Sequence, residues 1–275
     1  MKITHRFGDT EFEFDLCRPT DLSIPMRFGG PQPNAYGVDP AVSKACEYGD
    51  LVGDTRRGGG CNFEQVTLIP HCNGTHTECV GHITDERISV RDCLREAFLP
   101  AVLISVSPEE LAETSDSYPN LAEGGDPVIT ASAISEGLEE YLSGDSRIGA
   151  LVVRTLPNSK DKLSTLYTNE IPPYFTTEAA RLIDRLGIGH LLCDLPSIDR
   201  LHDGGRLSNH RIFWKLEDGS TALGPGSRKD RTVTELVYAP NSAKDGLYLL
   251  NLQIAPFHSD AAPSRPLLFP GRPIS

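Results

Sequence analysis

The first sixteen residues, MKITHRFGDTEFEFDL, alternate apolar and polar positions, the period of a β-strand with one covered face. Runs rich in branched apolar residues follow at Val66–Ile69, Ala101–Val106, Ala150–Leu156, Leu191–Leu195 and Leu247–Ile254, each short enough to be a buried strand. Helical spacing lies between several of them. Thr130 is placed to cap a helix carrying Ile134, Leu138, Tyr141 and Leu142 on one face, and Thr176 or Thr177 to cap another carrying Ala179, Leu182, Ile183 and Leu186, with Gly187 as its stop. Strands interleaved with helices predict an α/β protein, a single domain over 1–275 with a mixed β-sheet core flanked by helices, and polar site residues at strand ends and on loops.

Two stretches break the periodicity. Residues 20–62 carry many Pro and Gly and read as irregular, loop-rich chain, the kind that lines active sites; Phe28 and Tyr36 are its candidates for a substrate wall, with ordinary packing the simpler reading. Lys215–Arg231, rich in Gly and charge, predicts an exposed hairpin or insertion loop.

Composition narrows the partners. With 26 Lys+Arg against 38 Asp+Glu, the formal charge of −12 repels phosphate backbones and anionic lipid, which argues against nucleic acid and membrane surfaces. The N-terminal alternation is unlike a secretory signal, and no apolar run reaches the roughly eighteen residues a membrane helix needs, so a cytoplasmic protein is expected. The seven cysteines, Cys17, Cys46, Cys61, Cys72, Cys79, Cys93 and Cys193, are scattered and odd in number, which predicts free thiols.

The densest set of candidate metal donors is His71-Cys72-Asn73-Gly74-Thr75-His76-Thr77-Glu78-Cys79-Val80-Gly81-His82. Imidazole, carboxylate and thiolate are the side-chain donors of transition metals. If the segment is extended, Cys72, His76, Glu78 and His82 share one face and His71 takes the other, which assigns His71 a structural hydrogen bond; a bulge at Gly74 would reverse that order.

Asn73-Gly74-Thr75-His76-Thr77-Glu78, ending at His82, resembles the His-x-Gly-Thr-His-x-Asp-x-Pro-x-His signature of the cyclase family that includes bacterial kynurenine formamidase and isatin hydrolase. Cys72 stands at the first histidine, Glu78 at the aspartate and Val80 at the proline. The likeness continues in Cys193-Asp194-Leu195-Pro196-Ser197-Ile198-Asp199, in Asn209-His210-Arg211, in Thr232-Val233-Thr234-Glu235-Leu236 and in Asp260-Ala261-Ala262-Pro263-Ser264-Arg265-Pro266. It spans Asp21 to Phe269, with Lys215–Arg231 as extra length.

The resemblance implies the family's swivelling β/β/α fold and a metal-dependent hydrolase that cleaves an amide C–N bond in an aryl formamide or a cyclic amide such as isatin. His76, Glu78, His210 and Glu235 would hold one or two divalent ions with Cys72 at the remaining position, and His82 would transfer a proton to the departing nitrogen. The softer Cys72 favours zinc, with manganese the alternative. A homo-oligomer, dimer or tetramer, is implied on the same ground.

Other readings stay open. Cys72, His76, Cys79 and His82 could form a closed structural zinc site, or the altered donor set could belong to a non-catalytic binding protein that keeps the fold. His202 competes with His210 as the late donor. Asp194 and Asp199 beside Pro and Ser are expected to fix turns, Arg265 to form an ordinary salt bridge, and His5, His190 and His258 to be surface or satisfied core residues.

Overall fold

A computed structural model describes residues 1–119, 121–142, 147–168 and 170–274. The sixteen N-terminal residues form two strands, β1 (Lys2–Phe7) and β2 (Thr10–Asp15), paired antiparallel around a turn at Gly8, where a single strand was expected. The main sheet continues with β3 (His76–Cys79), β4 (Leu99–Val106), β5 (Ala150–Thr155), β6 (His190–Cys193), β7 (Thr232–Glu235), β8 (Gly246–Asn251), β9 (Ala261–Pro263) and β10 (Leu267–Ile274). Their spatial order is β1-β2-β10-β8-β4-β5-β6-β7-β3-β9, with Thr20–Asp21 paired to β10.

The sheet is mixed, as expected. Strands β4, β5, β6 and β7 run parallel at its centre, and every other pairing along the order is antiparallel. The central strands are apolar in succession because both faces are covered; all six residues of β5 are buried. Ile104, Val153 and Leu191 pack on one face beneath the helices α2 (Ala131–Leu138) and α3 (Thr177–Arg185), while Leu103, Val152 and Leu192 pack with Leu22 and Leu250 on the other.

Both predicted caps form. Thr130 accepts from the Ala133 amide and Thr176 from the Ala179 amide, and Gly187 closes α3 with a φ of 73°. The first helix is shorter than its apolar face suggested, giving way to a 3-10 turn over Glu139–Tyr141.

Of the five predicted strands, Val66–Ile69 is the one misplaced. The strand there is Glu64–Thr67, which pairs with Val42–Ala45 outside the main sheet and exposes every residue. So short an apolar run carries no information about which surface covers it. Within the loop-rich segment 20–62, ordered structure is confined to short pairings such as Asn34–Ala35 with Leu166–Tyr167 and to a 3-10 turn at Thr55–Arg57.

Lys215–Arg231 is a series of turns and not a hairpin. Its end is buried: Arg231 donates to Asp184 at 2.7 Å and to the Phe213 carbonyl at 2.9 Å. Among the described residues no helix is long and apolar enough to cross a membrane.

Ile134 joins α2 to the sheet and is fully buried. Ile134→Ala is expected to lower unfolding stability by about 2–5 kcal/mol, read as a shift of the urea midpoint at constant slope.

Candidate metal centre

The register between two neighbouring strands creates the site. Strand β3 pairs antiparallel with β7 so that His76 lies opposite Glu235 and Glu78 opposite Val233. The two-residue period turns His76 and Glu78 to the same face as Glu235, while Thr77 turns the other way and meets Thr234 hydroxyl to hydroxyl at 2.8 Å. His76, Glu78 and Glu235 are all buried.

Upstream of β3 the chain is not extended. Pro70 starts a single helical turn, α1 (Pro70–Asn73), and the Asn73 side chain accepts from the Ile69 amide at 2.7 Å. The parity argument therefore fails at this turn, and with it the assignment of His71 to the far face. His71 Nδ1 donates to Glu78 Oε2 and Nε2 to Asp260 Oδ2, both at 2.9 Å. Cys72 lines the same cavity. Its sulfur belongs to neither group of donor atoms that converges within 4.8 Å, and burial beside Glu235 pushes its thiol up to about 11.

Downstream of β3, a 3-10 turn over Val80–His82 brings His82 back towards Glu78, with His82 Nε2 4.0 Å from Glu78 Oε2 and Nδ1 3.4 Å from Asp260 Oδ2. Gly81 permits that return, because a Cβ there would stand 2.2 Å from the Ile88 carbonyl oxygen.

The last histidine comes from α4 (Ser208–Trp214). His210 donates through Nε2 to Glu78 Oε1 and through Nδ1 to Asp199 Oδ2, both at 2.6 Å, and lies 3.5 Å from Glu235 Oε1. Asp199 fixes a turn as expected, accepting from the amides of Asn209 and His210, but it also orients the His210 ring and takes the Tyr118 hydroxyl at 2.8 Å. Asp194 remains structural, held by Thr155 and Lys162. Arg265 pairs with Asp21 at 2.8 Å, and buried His190 meets Thr232 Oγ1 at 2.8 Å, the ordinary roles foreseen for both.

Among the described residues two groups of donor atoms result: His71, Glu78 and His82 form one, His76, Glu78 and Glu235 the other, with Glu78 common to both. Asp260 serves the first group, and sequence reasoning missed it; the residue stood at the head of a segment noted only as a closing strand. The closed four-donor site with Cys79 does not form. Cys79 turns to the opposite face of β3 and packs with Val90, Cys93 and Ala262.

Electrostatics explain how buried carboxylates persist here. Burial pushes the Glu78 carboxyl up, but His82 and His210 outweigh it and hold it well below the usual carboxylate range. Burial opposes charge on His210, yet Glu78 and the bond to Asp199 raise it well above its ordinary value. His71 is likewise opposed by burial and raised to about 10 by Asp260 and Glu78, while its hydrogen bond lowers Asp260. Protons on imidazoles thus supply positive charge that a cation could supply instead.

One atom of the donor cluster is left over. His76 Nδ1 donates to the Gly74 carbonyl at 3.0 Å, which aims Nε2 at Glu235 Oε2, 3.4 Å away, and among the described residues that buried Nε2 has no well-aligned hydrogen-bond partner. An unpartnered imidazole nitrogen facing two carboxylates fits a metal ligand. Above the cluster opens a cavity of about 680 Å³, walled by Tyr36, Ile69, Leu121, Pro196, His202 and Leu207 among others. Tyr36, for which ordinary packing was the simpler reading, is part of that wall. His202 also belongs to the wall and not to the carboxylate cluster.

Fold and site together define an α/β protein with a buried carboxylate–imidazole centre beneath an open cavity. The chain belongs to the family described as putative cyclase, whose profile matches residues 14–200. Solved structures share the fold at low identity. A protein described as a predicted metal-dependent hydrolase from Bacillus stearothermophilus is 17% identical, with a TM-score of 0.57 over 92% of this chain and 98% of that one. Isatin hydrolase A from Labrenzia aggregata, bound to benzyl benzoate, is 17% identical, with a TM-score of 0.59 over 92% and 93%. An isatin hydrolase bound to the product analogue thioisatinate is 15% identical, with a TM-score of 0.59 over 93% of each chain. No curated protein matches the chain.

The His71 shift gives the metal-free protein a signed pH dependence. A raised imidazole contributes stability that is complete below its ordinary 6.5 and is lost as pH rises through about 10. Chelator-treated protein should melt at progressively lower temperature across that window, and His71→Gln should flatten the decline.

Proposed function

We propose that this chain is a metal-dependent hydrolase that cleaves the amide C–N bond of an N-formyl aryl amine or a cyclic amide. The observation that carries the reading is the bare His76 Nε2, buried and aimed at the carboxylates that neighbouring imidazoles neutralise. Family membership supports it, as do solved neighbours described as isatin hydrolase and as metal-dependent hydrolase.

His76, Glu78 and Glu235 would hold a divalent ion, with His210 beside them; His71 and His82 face the other oxygen of Glu78 and stay outside that ligand set. A divalent cation there would polarise a carbonyl oxygen and make water acidic enough to supply hydroxide near neutral pH. With Cys72 outside the converging atoms, the sulfur argument for zinc falls away, and an imidazole–carboxylate set suits zinc or manganese.

The chain's own residues divide the remaining work. Asp199 fixes the His210 ring by its Nδ1 hydrogen bond, so that Nε2 points at Glu78. His82, part-buried at the cavity edge, is placed to hand a proton to the leaving nitrogen. Asp260, 3.4 Å from His82 Nδ1, orients that ring so that Nε2 faces the cluster. His71 stacks on His82 with ring centroids 4.2 Å apart and shares Asp260, so it steadies the same proton-transfer group.

Elemental analysis with hydrolysis assays on N-formylaniline, isatin and a simple lactam tests this reading. Purified protein should carry zinc or manganese and hydrolyse at least one of the three. His76→Ala should lose the ion, whereas His82→Ala should keep it and lower kcat by about 10²–10⁴-fold, the usual contribution of a general acid or base. Protein that binds neither ion and hydrolyses nothing when both are supplied would overturn it.

A further inference from the structure

The wall of the cavity is built under conformational strain. Non-glycine residues with positive φ are uncommon, yet Tyr36 (62°), Leu121 (50°), His202 (63°) and Leu207 (51°) all adopt it and all line this one cavity. Such strain persists only where surrounding structure over-determines it, and here the anchors are visible.

Asp203 is buried, and its carboxylate accepts from the amides of Gly205 at 2.8 Å, Arg206 at 3.2 Å and Leu207 at 2.6 Å. The Tyr118 hydroxyl reaches the same carboxylate at 3.4 Å. Gly204 and Gly205 both have φ of 76°, so four of the six residues from His202 to Leu207 are left-handed, in a tight loop that Asp203 pins from inside. Asn34–Ala35, paired with Leu166–Tyr167, holds the approach to Tyr36 from the other side.

The two anchored loops meet at one contact. Tyr36 and His202 stand edge to face, with ring centroids 5.6 Å apart and planes at 85°. Neither ring belongs to the metal cluster, and Tyr36 is half exposed to the cavity. A flat ring laid against this pair would meet aromatic surface, with Ile69, Leu121 and Leu207 as apolar surroundings. A puckered aliphatic ring of equal carbon count buries similar area but cannot match the quadrupoles of both partners.

We propose that the Tyr36–His202 pair is the specificity-determining wall of this site, selecting ligands with a planar aromatic ring held against it while their polar end faces the carboxylate–imidazole centre. The proposal deepens the hydrolase reading and rests on it for the orientation of the ligand. His202 and Tyr36 act here by contact with the ring, and the strained backbone holds them ready before the ligand arrives.

Calorimetric titration of the metal-loaded protein with benzoate and with cyclohexanecarboxylate tests the pair without requiring turnover. The two share a carboxylate and a carbon count and differ in planarity. Benzoate should bind about two- to tenfold more tightly, the range that an aromatic pair contributes beyond area burial. Tyr36→Leu should bring the ratio close to one. His202→Asn, chosen because Asn tolerates left-handed backbone, should do the same with an unchanged melting temperature.

Equal affinity for the two acids, binding of neither, or a ratio that survives both substitutions overturns the proposal. A ratio that behaves as expected in a protein hydrolysing no amide leaves the wall standing and removes the hydrolase reading. Amide hydrolysis without ring discrimination does the reverse.

Discussion

Two carboxylates buried side by side are the constraint around which this protein is arranged. Glu78 and Glu235 lie almost wholly out of water, and each makes the other harder to ionise. Left alone, they would take up protons or drag water inside. Instead His210 bridges them, His71 and His82 face Glu78, and Asp260 balances the outer imidazoles. The cluster is therefore a set of charges that stand only together, and a cation and imidazole protons are interchangeable ways of neutralising it.

The sheet is what makes such density possible. Antiparallel pairing of β3 with β7 sets His76 against Glu235 without any loop having to close over them. Loops would hold donors less firmly, since their backbone is tied down at fewer points. The loops here contribute the parts that need reach: the turn at Pro70 delivers His71, the 3-10 turn delivers His82, and the Asp199 turn presents α4 with His210. A rigid floor of strand residues thus carries imidazoles delivered by two turns and a helix.

Floor and wall obey different rules. The floor is polar and mutually neutralised, whereas the wall is apolar, aromatic and strained in its backbone. This division suits a site in which one part does chemistry and another chooses what is presented to it. It also fits a family whose solved neighbours keep the fold at 10–17% identity, because a sheet register survives sequence change better than the lining of a cavity does.

Much of the framework could be read from the residues. Four of the five apolar runs became central strands, and the Thr130 and Thr176 caps formed, because burial on both faces and capping are local requirements with local signatures. His76 and Glu78 share a face for the same reason: a strand's period is two, whatever surrounds it. What the residues could not settle was where that period stops. Pro70 breaks it and brings His71 into the donor cluster while the Cys72 sulfur stays outside, Val66 lies on an exposed ribbon although its run resembles a core strand, and Asp260 reaches His71 from the far end of the chain. Proximity between distant segments is fixed by how the sheet orders its strands and by which charges must be neutralised, and neither quantity is written in any short stretch of sequence.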